Sequence, residues 1–300
     1  MKNGFLMILA IISFQLTSAQ ADSNFTTRVI NFECMPDGKN LVLGIMKFDN
    51  SRKNPPVRGV FLFNSSLKKP ELIIPDGASP APSPDGNTLA FEKRINNRGR
   101  IYLYDLKTKQ EKELNNDTAS QSSPQWSPDG KTIVYTKQTG SGSTALMDIL
   151  AIDMTTKEVT TIAPANGYRN YNPVWSSDGK RIVYYLEKGD NHDQIYLTDQ
   201  KGSFHKNITN DTATHNYYPS WYGNKILYTW SPNRLTTITT DGTNREVIDG
   251  IQTFFARFNS KENQIVYIYH TRQEDALMVY DVKSKTSTVL LDGKALMGLL

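Results

Sequence analysis

The side chains that could perform acid–base or metal chemistry are few and scattered along the chain. There are four histidines, His192, His205, His215 and His270, and a single cysteine, Cys34. The histidines lack the close spacing of a zinc motif such as His-Glu-x-x-His, and no Gly-x-Ser-x-Gly nucleophile elbow is present. We therefore predict no catalytic residues, no metal site and no cofactor.

A richer set of candidates is aromatic and amide-bearing. These residues lie in three stretches of similar pattern, which lead into Pro173, Pro219 and Ala256. Tyr and Phe offer large contact areas at low entropic cost, and Tyr and Asn add hydrogen bonds, which suits a sugar, a peptide or a protein loop. An alternative is that some of these rings only pack between sheets. The candidate binding residues are Tyr168, Asn170, Tyr171, Asn172, His215, Tyr217, Tyr218, Phe254 and Phe255, with His192 and His270 from neighbouring loops.

Six copies of a turn followed by a short β-rich run position these candidates. The runs end at residues 43, 91, 135, 184, 228 and 267, a period of about 45 residues. Four short strands per unit at this period are typical of a β-propeller. We predict an all-β, six-bladed propeller of four-stranded antiparallel blades, in which residues 28–33 form the first strand of the first blade. First strands line the central channel, so the aromatic stretches are expected at one side of its mouth.

Two other repeated features have structural explanations. Asp in a Pro-Asp-Gly turn bonds its own backbone, and Gly closes the turn, so we interpret the repeated acids as turn residues. They are Asp37, Asp85, Asp129 and Asp178. Large side chains one step before the turn are predicted to pack within the blades, with Cys34 at the same position as an inert thiol. They are Trp126, Trp175, Trp221 and Phe258.

Three segments resemble the repeats of the TolB-type (PD-repeat) propeller family. They are Trp-Ser-Pro-Asp-Gly-Lys-Thr-Ile-Val-Tyr at 126–135, Trp-Ser-Ser-Asp-Gly-Lys-Arg-Ile-Val-Tyr at 175–184 and Asn-Tyr-Tyr-Pro-Ser-Trp at 216–221. The resemblance covers roughly residues 28–291. It implies a propeller of the same type, which family members use mostly to bind proteins or ligands. Only a few residues precede the first repeat, so we expect the propeller without the N-terminal α/β domain of TolB.

The chain has the composition of an ordinary folded protein, and its N-terminal residues predict export. Its 300 residues carry a formal net charge of +4 without a block of basic residues, so nucleic acid is not an implied partner. Residues 1–19 are predicted to be a signal peptide, with cleavage after Ala19 or Ala21. Its apolar run, 5–14, is too short to span a bilayer. We expect a single domain over residues 22–300, located in the periplasm or secreted, without a transmembrane segment.

Two functional hypotheses follow. The leading one is an exported noncatalytic binding or scaffold protein, which engages an envelope or extracellular protein, a peptide or a glycan at the channel mouth. The alternative is a propeller enzyme such as a polysaccharide lyase or a glycoside hydrolase. An enzyme would need two or three His or carboxylate groups converging in the channel, and the sequence shows no such convergence. At the C-terminus, residues 295–297 could begin an extra strand against the first blade.

Overall fold

A computed structural model describes residues 25–188, 192–211, 213–271, 274–297 and 299–300. The predicted signal peptide lies outside the described residues. Within them the chain forms 24 strands, one short 3-10 helix at Gly142–Thr144 and one α-helix, α1, at Gly293–Met297.

The strands follow one another as four-stranded meanders. The first sheet contains β1 Phe25–Cys34, β2 Asn40–Asp49, β3 Val57–Asn64 and β4 Lys69–Pro75. The second contains β5 Gly77–Pro82, β6 Thr88–Ile95, β7 Arg98–Asp105 and β8 Glu111–Glu113. Next come β9 Ser120–Trp126, β10 Thr132–Thr139, β11 Leu146–Asp153 and β12 Val159–Ala163. They are followed by β13 Arg169–Trp175, β14 Arg181–Glu187, β15 Gln194–Asp199 and β16 Lys206–Asn207. The last two sheets contain β17 Asn216–Tyr222, β18 Lys225–Trp230, β19 Arg234–Thr239 and β20 Glu246–Gln252, then β21 Ala256–Asn259, β22 Gln264–His270, β23 Asp275–Asp281 and β24 Thr286–Leu291.

The sheets are arranged as blades around an axis. Four of them are separate four-stranded sheets, whereas β9–β12 and β13–β16 form one eight-stranded sheet through a single parallel pair, Met147 with Arg169. The first strands β1, β5, β9, β13, β17 and β21 contact one another in this order, and β21 returns to β1. The fold is therefore an all-β propeller with four-stranded antiparallel blades, as the repeat predicted.

In several blades, a β-bulge turns the first strand toward the axis. Ser79, Ser123, Asn172 and Tyr218 all have φ between +49° and +52°, and each immediately precedes a proline. Non-glycine residues rarely adopt this backbone region, and a bulge turns the following side chains relative to the regular pleat. Three of these residues consequently line the central cavity of the propeller.

The repeated Asp residues shape the turns, as predicted. The Asp129 carboxylate accepts the Ser127 hydroxyl at 2.6 Å and the Lys131 backbone N–H at 3.1 Å. These bonds hold the pKa of Asp129 below its ordinary value. Asp85 and Asp178 each accept the same kinds of bond in their own turns. The left-handed glycine completes each turn, for example Gly130 at φ +70°.

The side chains before these turns pack within and between the sheets, as the repeat predicted. Trp175 belongs to a buried cluster, and Trp126, Trp221 and Phe258 each pack against one. Cys34 packs against the cluster between the first and last sheets. Burial, and then the neighbouring Glu33 carboxylate, raises the pKa of the thiol to about 12, as expected of an inert cysteine.

The C-terminal tail is helical where an extra strand was considered, so that prediction was wrong. The Asp292 carboxylate accepts the Ala295 backbone N–H at 2.9 Å and caps α1, which turns Leu296 into the core between the first and last sheets. Leu299 and Leu300 pack against the same core, and the Lys47 ammonium donates to the Leu300 carbonyl oxygen at 2.5 Å. Each of these two sheets is built from consecutive strands, and the tail bridges them without joining either.

Candidate functional site

Six aromatic rings are in continuous contact where the first strands begin. We call this cluster the aromatic mouth, and it consists of Tyr171, Tyr185, Tyr217, Tyr218, Phe254 and Phe255. Ring centroids are 5.2 Å apart for Tyr171–Tyr185, 5.7 Å for Tyr185–Tyr218, 5.4 Å for Tyr217–Tyr218, 5.8 Å for Tyr218–Phe255 and 6.4 Å for Tyr217–Phe254. The rings come from consecutive repeats because each stretch leads into a first strand, and first strands are neighbours around the axis.

The predicted binding residues differ in how much surface they offer. Phe254 is 39% exposed, Tyr168 is exposed to a similar degree, and Tyr217 is half-buried. Phe255 is buried, with its ring edge-to-face with Phe32 at 5.4 Å. Asn170 is also buried, and its amide donates to two backbone carbonyls at 3.2 Å. The buried pair supports the surface from below, whereas the exposed rings are open to a ligand.

Two predicted histidines lie together at one side of the aromatic mouth. The rings of His192 and His215 are 6.1 Å apart, and Nδ1 of His215 is 3.1 Å from a carboxylate oxygen of Asp193. Burial, then the adjacent Tyr218, then Asp193 raise the pKa of Tyr217, so this phenol stays protonated and can donate a hydrogen bond.

The third predicted histidine belongs to a charged cluster between the first and last sheets. The Asp275 carboxylate is fully buried and accepts hydrogen bonds from Arg28 Nη1 at 2.6 Å, from the Val29 backbone N–H at 2.8 Å and from His270 Nδ1 at 2.6 Å. The His270 ring also lies 5.3 Å from the ring of Phe254. Asp275 thus joins the two ends of the propeller at the level of the aromatic mouth.

A cleft of about 440 Å³ opens beside this cluster. It lies between the mouth ends of the first and last sheets, and we call it the seam cleft. Its walls include Ile30, Phe48, Phe254, Ile268, Arg28 and His270. The seam cleft is continuous with the aromatic mouth, because Tyr218, Phe254 and Phe255 line both.

The central channel is almost filled by an ion pair. Its cavity measures only about 20 Å³, roughly the space of one water molecule. Arg257 Nε donates to Glu33 Oε1 at 2.8 Å, and Gln125 Nε2 donates to the same oxygen at 2.9 Å. The Arg257 guanidinium lies 4.0 Å from the centroid of the Phe255 ring. Burial raises the pKa of Glu33 although Arg257 opposes the shift. This cavity therefore has no room for a ligand larger than about one water molecule.

The potential metal ligands are spread out. Among the residues that the structure describes, no group of three or more His, Cys, Asp and Glu side chains is placed to hold a metal ion. Asn172, which was predicted at the mouth, instead lines the central cavity beside Gln125.

Sequence reasoning missed several residues of this site. Tyr185 joins the rings of neighbouring blades, but it lies on a second strand, beyond the three stretches that were compared. Glu33 and Arg257 occupy the same position of the repeat as Gln125. The change from an acid in the first repeat to a base in the last repeat could therefore have indicated an ion pair. Asp275 gave no such signal, because its partners Arg28 and Val29 lie more than 240 positions away in sequence.

The fold and the site together define a β-propeller that carries an aromatic surface at one end of its axis. The TolB beta propeller domain (PD40) matches residues 75–255, more than half of the chain, and the chain belongs to this family. No protein with curated annotation matches the sequence.

Solved structures support the fold. TolB from Acinetobacter baumannii has a TM-score of 0.64 at 15% identity, with 88% of this chain and 79% of that chain covered. An oligogalacturonate lyase in complex with manganese has a TM-score of 0.64 at 14% identity, with 88% and 77% covered. The β-propeller domain of the Trilobed protease from Pyrococcus furiosus, described as having an open velcro topology, has a TM-score of 0.58 at 14% identity, with 92% and 98% covered. At these identities the likeness extends to the fold alone. Among the described residues no helix is long and apolar enough to cross a membrane.

Proposed function

We propose that this protein is an exported, noncatalytic binding or scaffold protein, which engages an envelope or extracellular protein, a peptide or a glycan at the aromatic mouth. The observation that carries the proposal is the unbroken contact of six rings across neighbouring blades, with Phe254 39% exposed at its rim. Contiguous aromatic rings that remain partly open to solvent commonly mark a place where a protein meets a partner. Tyr217 and His215 add polar groups at the edge of the surface.

The arrangement of the histidines supports binding over catalysis. His215 pairs with Asp193 and His270 pairs with Asp275, at two separate places of the mouth. Both carboxylates are engaged in bonds that join strands or loops, and the narrow channel leaves little room for a substrate between the two pairs. The imidazoles therefore serve best as polar contacts beside the rings.

A propeller enzyme, such as a polysaccharide lyase or a glycoside hydrolase, is the second candidate. The observation that favours it is the Asp275–His270 pair, because a carboxylate that orients an imidazole is a common way to prepare a general base. Metal analysis of the purified protein discriminates between the two candidates. Stoichiometric Mn, Zn or Ca that survives dialysis would favour the enzyme, and metal-free protein that still captures its partner would favour the binding protein.

We propose that the protein works in the periplasm or outside the cell, as a single domain over residues 22–300. Removal of residues 1–19, by cleavage after Ala19 or Ala21, is supported by the sequence pattern of the leader. N-terminal sequencing of the mature protein tests this. A product that retains Met1 and stays in the cytosol would contradict export.

We also propose that the propeller has six blades. The two meanders of the eight-stranded sheet are joined by one parallel pair only, and each contributes its own first strand, β9 or β13, to the ring around the axis. Counting them as two blades agrees with the six turns of the sequence. An experimental structure with any other number of blades would contradict this.

The binding proposal is tested by capturing partners from an envelope extract on immobilised protein. Replacing Tyr217 and Phe254 together by Ala removes two contacting rings, and each ring at an interface is commonly worth about 1–3 kcal/mol. We expect capture to fall at least tenfold. Tyr269→Ala is the matched control, because Tyr269 is an exposed ring next to His270 in sequence but lies outside the aromatic mouth. Equal capture by all three proteins would refute the proposal.

A further inference from the structure

The seam cleft has a polar end and an apolar wall. Arg28 and His270 form the polar end, and Ile30, Phe254 and Ile268 belong to the apolar wall. Its volume of about 440 Å³ falls within the range of ordinary ligand pockets, roughly 300–1,000 Å³. Pockets of this kind use a few placed polar groups for orientation and apolar surface for affinity.

The polar end presents the Arg28 guanidinium and the His270 imidazole outward. The side chains of Arg28 and His270 are 24% and 27% exposed, whereas the Asp275 carboxylate that holds both of them is 0% exposed. An anion in the cleft would therefore approach the guanidinium more closely than it would approach Asp275. Attraction to the nearer guanidinium outweighs repulsion from the buried carboxylate, because Coulomb energy falls with distance.

The polar end is also fixed in place before a ligand arrives. Arg28 Nη1 donates to the Asp275 carboxylate at 2.6 Å and to the Thr271 backbone carbonyl at 3.0 Å, which sets the plane of the guanidinium. With Nδ1 of His270 donating to Asp275, only a protonated imidazole can also donate from Nε2 to a ligand carboxylate. Groups held in this way lose little further freedom on binding.

The apolar wall favours a peptide over a sugar acid. Ile30 and Phe254 are among the exposed large hydrophobic side chains of the protein, and both line the cleft. An aliphatic side chain such as that of Ile30 gives no hydrogen bonds to sugar hydroxyls, but it packs well against an apolar amino-acid side chain.

We propose that the seam cleft captures the C-terminal carboxylate of a peptide or protein partner whose last residue is apolar. The carboxylate is received by Arg28 and by the protonated form of His270, and the last side chain lies against Phe254 and Ile30. Recognition of a chain terminus by charge-assisted hydrogen-bond donors beside an apolar pocket is a recurring mode of peptide binding. The inference rests on the proposed use of the aromatic mouth, because Phe254 belongs to both surfaces.

Binding of short synthetic ligands, measured by calorimetry, tests this inference. The probes are N-acetyl-Ala-Ala-Leu as the free acid, the same peptide as the C-terminal amide, and trigalacturonic acid. We expect the acid to bind at least about tenfold more tightly than the amide. Phe254→Ala should weaken the acid at least about tenfold, whereas Tyr269→Ala should leave its affinity unchanged.

A second variant examines the polar end without removing its support. In His270→Gln the side-chain amide can still donate to Asp275, but the imidazole and its Nε2 donor are lost, so the preference for acid over amide should shrink severalfold. Melting curves measured in parallel show whether the variant remains folded, and the acid–amide comparison on the unaltered protein does not depend on any variant.

Three results would overturn the inference. They are equal affinity for acid and amide, tighter binding of trigalacturonic acid than of the peptide acid, and no binding of any probe. If one of these results is found but the double variant of Tyr217 and Phe254 captures less partner than the unaltered protein does, only the terminal-carboxylate inference fails. If the double variant also captures normally, the proposed function fails with it.

Discussion

The ion pair in the central channel gives a sharp energetic prediction. Arg257 is 7% exposed and Glu33 is 16% exposed, with Nε and Oε1 2.8 Å apart. Removing one partner of a buried pair leaves the other charge desolvated, which costs about 3–5 kcal/mol. Glu33→Gln keeps the shape and an acceptor oxygen but removes the charge, so we expect a loss near the lower limit, about 3 kcal/mol. For a domain of this size that lowers Tm by roughly 6–12 °C.

The two halves of the pair differ in their dependence on pH. Arg257 cannot release its proton, so in Glu33→Gln the desolvated cation persists at every pH. In Arg257→Met the remaining Glu33 can take up a proton, because burial already raises its pKa above the ordinary value. A raised folded-state pKa contributes stability at low pH that is lost as the pH rises through that pKa. Arg257→Met should therefore cost little near pH 5 and progressively more toward pH 8.

Urea unfolding at several pH values measures these effects. Gln125→Ala is the control from the same channel, since it removes one neutral donor to Glu33 and should cost about 1 kcal/mol at every pH. The double variant of Glu33 and Arg257 should lose less than the sum of the single losses. A cost of Glu33→Gln below about 0.5 kcal/mol, or an Arg257→Met cost that does not change with pH, would show that water screens the pair and refute the reasoning.

Three further predictions concern packing, backbone and reactivity. Trp175→Ala should lower the free energy of unfolding by about 3–5 kcal/mol in urea, because Trp175 is buried, whereas Phe254→Ala should cost less than about 1 kcal/mol, because Phe254 is exposed. Similar losses would contradict the assignment of core and surface. Gly167→Ala should cost about 1–2 kcal/mol in the same assay, because Gly167 has a φ of +87°. Gly202→Ala, at φ +69°, should cost a further 1–3 kcal/mol, because a Cβ there would lie 2.2 Å from a backbone carbonyl oxygen. Equal costs of the two variants would refute that contact. Cys34 should resist Ellman's reagent at pH 8 in the folded protein and react in urea, since its pKa is about 12; rapid labelling of the folded protein would contradict its burial.

The repeat made much of the fold predictable. The Asp-Gly turns are local, so strand order and blade construction could be predicted from the spacing alone. The tail could not, because the capping bond from Asp292 and the pocket that receives Leu296 arise only after the first and last sheets meet. The same reason hid the Asp275 cluster, which joins residues more than 240 positions apart.

The sequence predicted which residues form the candidate site, but not how deeply each of them is buried. Aligning the repeats brought Tyr217, Tyr218 and Phe254 together, and the structure places their rings in contact. Alignment could not separate Phe254, which is exposed, from Phe255, which packs against the core, because the two are adjacent and chemically identical. Which ring faces solvent depends on the local path of the chain just before β21.

Hydrogen–deuterium exchange of the protein, alone and with a captured partner, tests the central claim most directly. If the aromatic mouth binds, amides at 170–172, 215–218 and 253–255 should exchange more slowly in the complex, while the turns on the opposite face, for example 128–131, should be unaffected. Protection confined to the opposite-face turns, with unchanged exchange at the three mouth segments, would contradict the account.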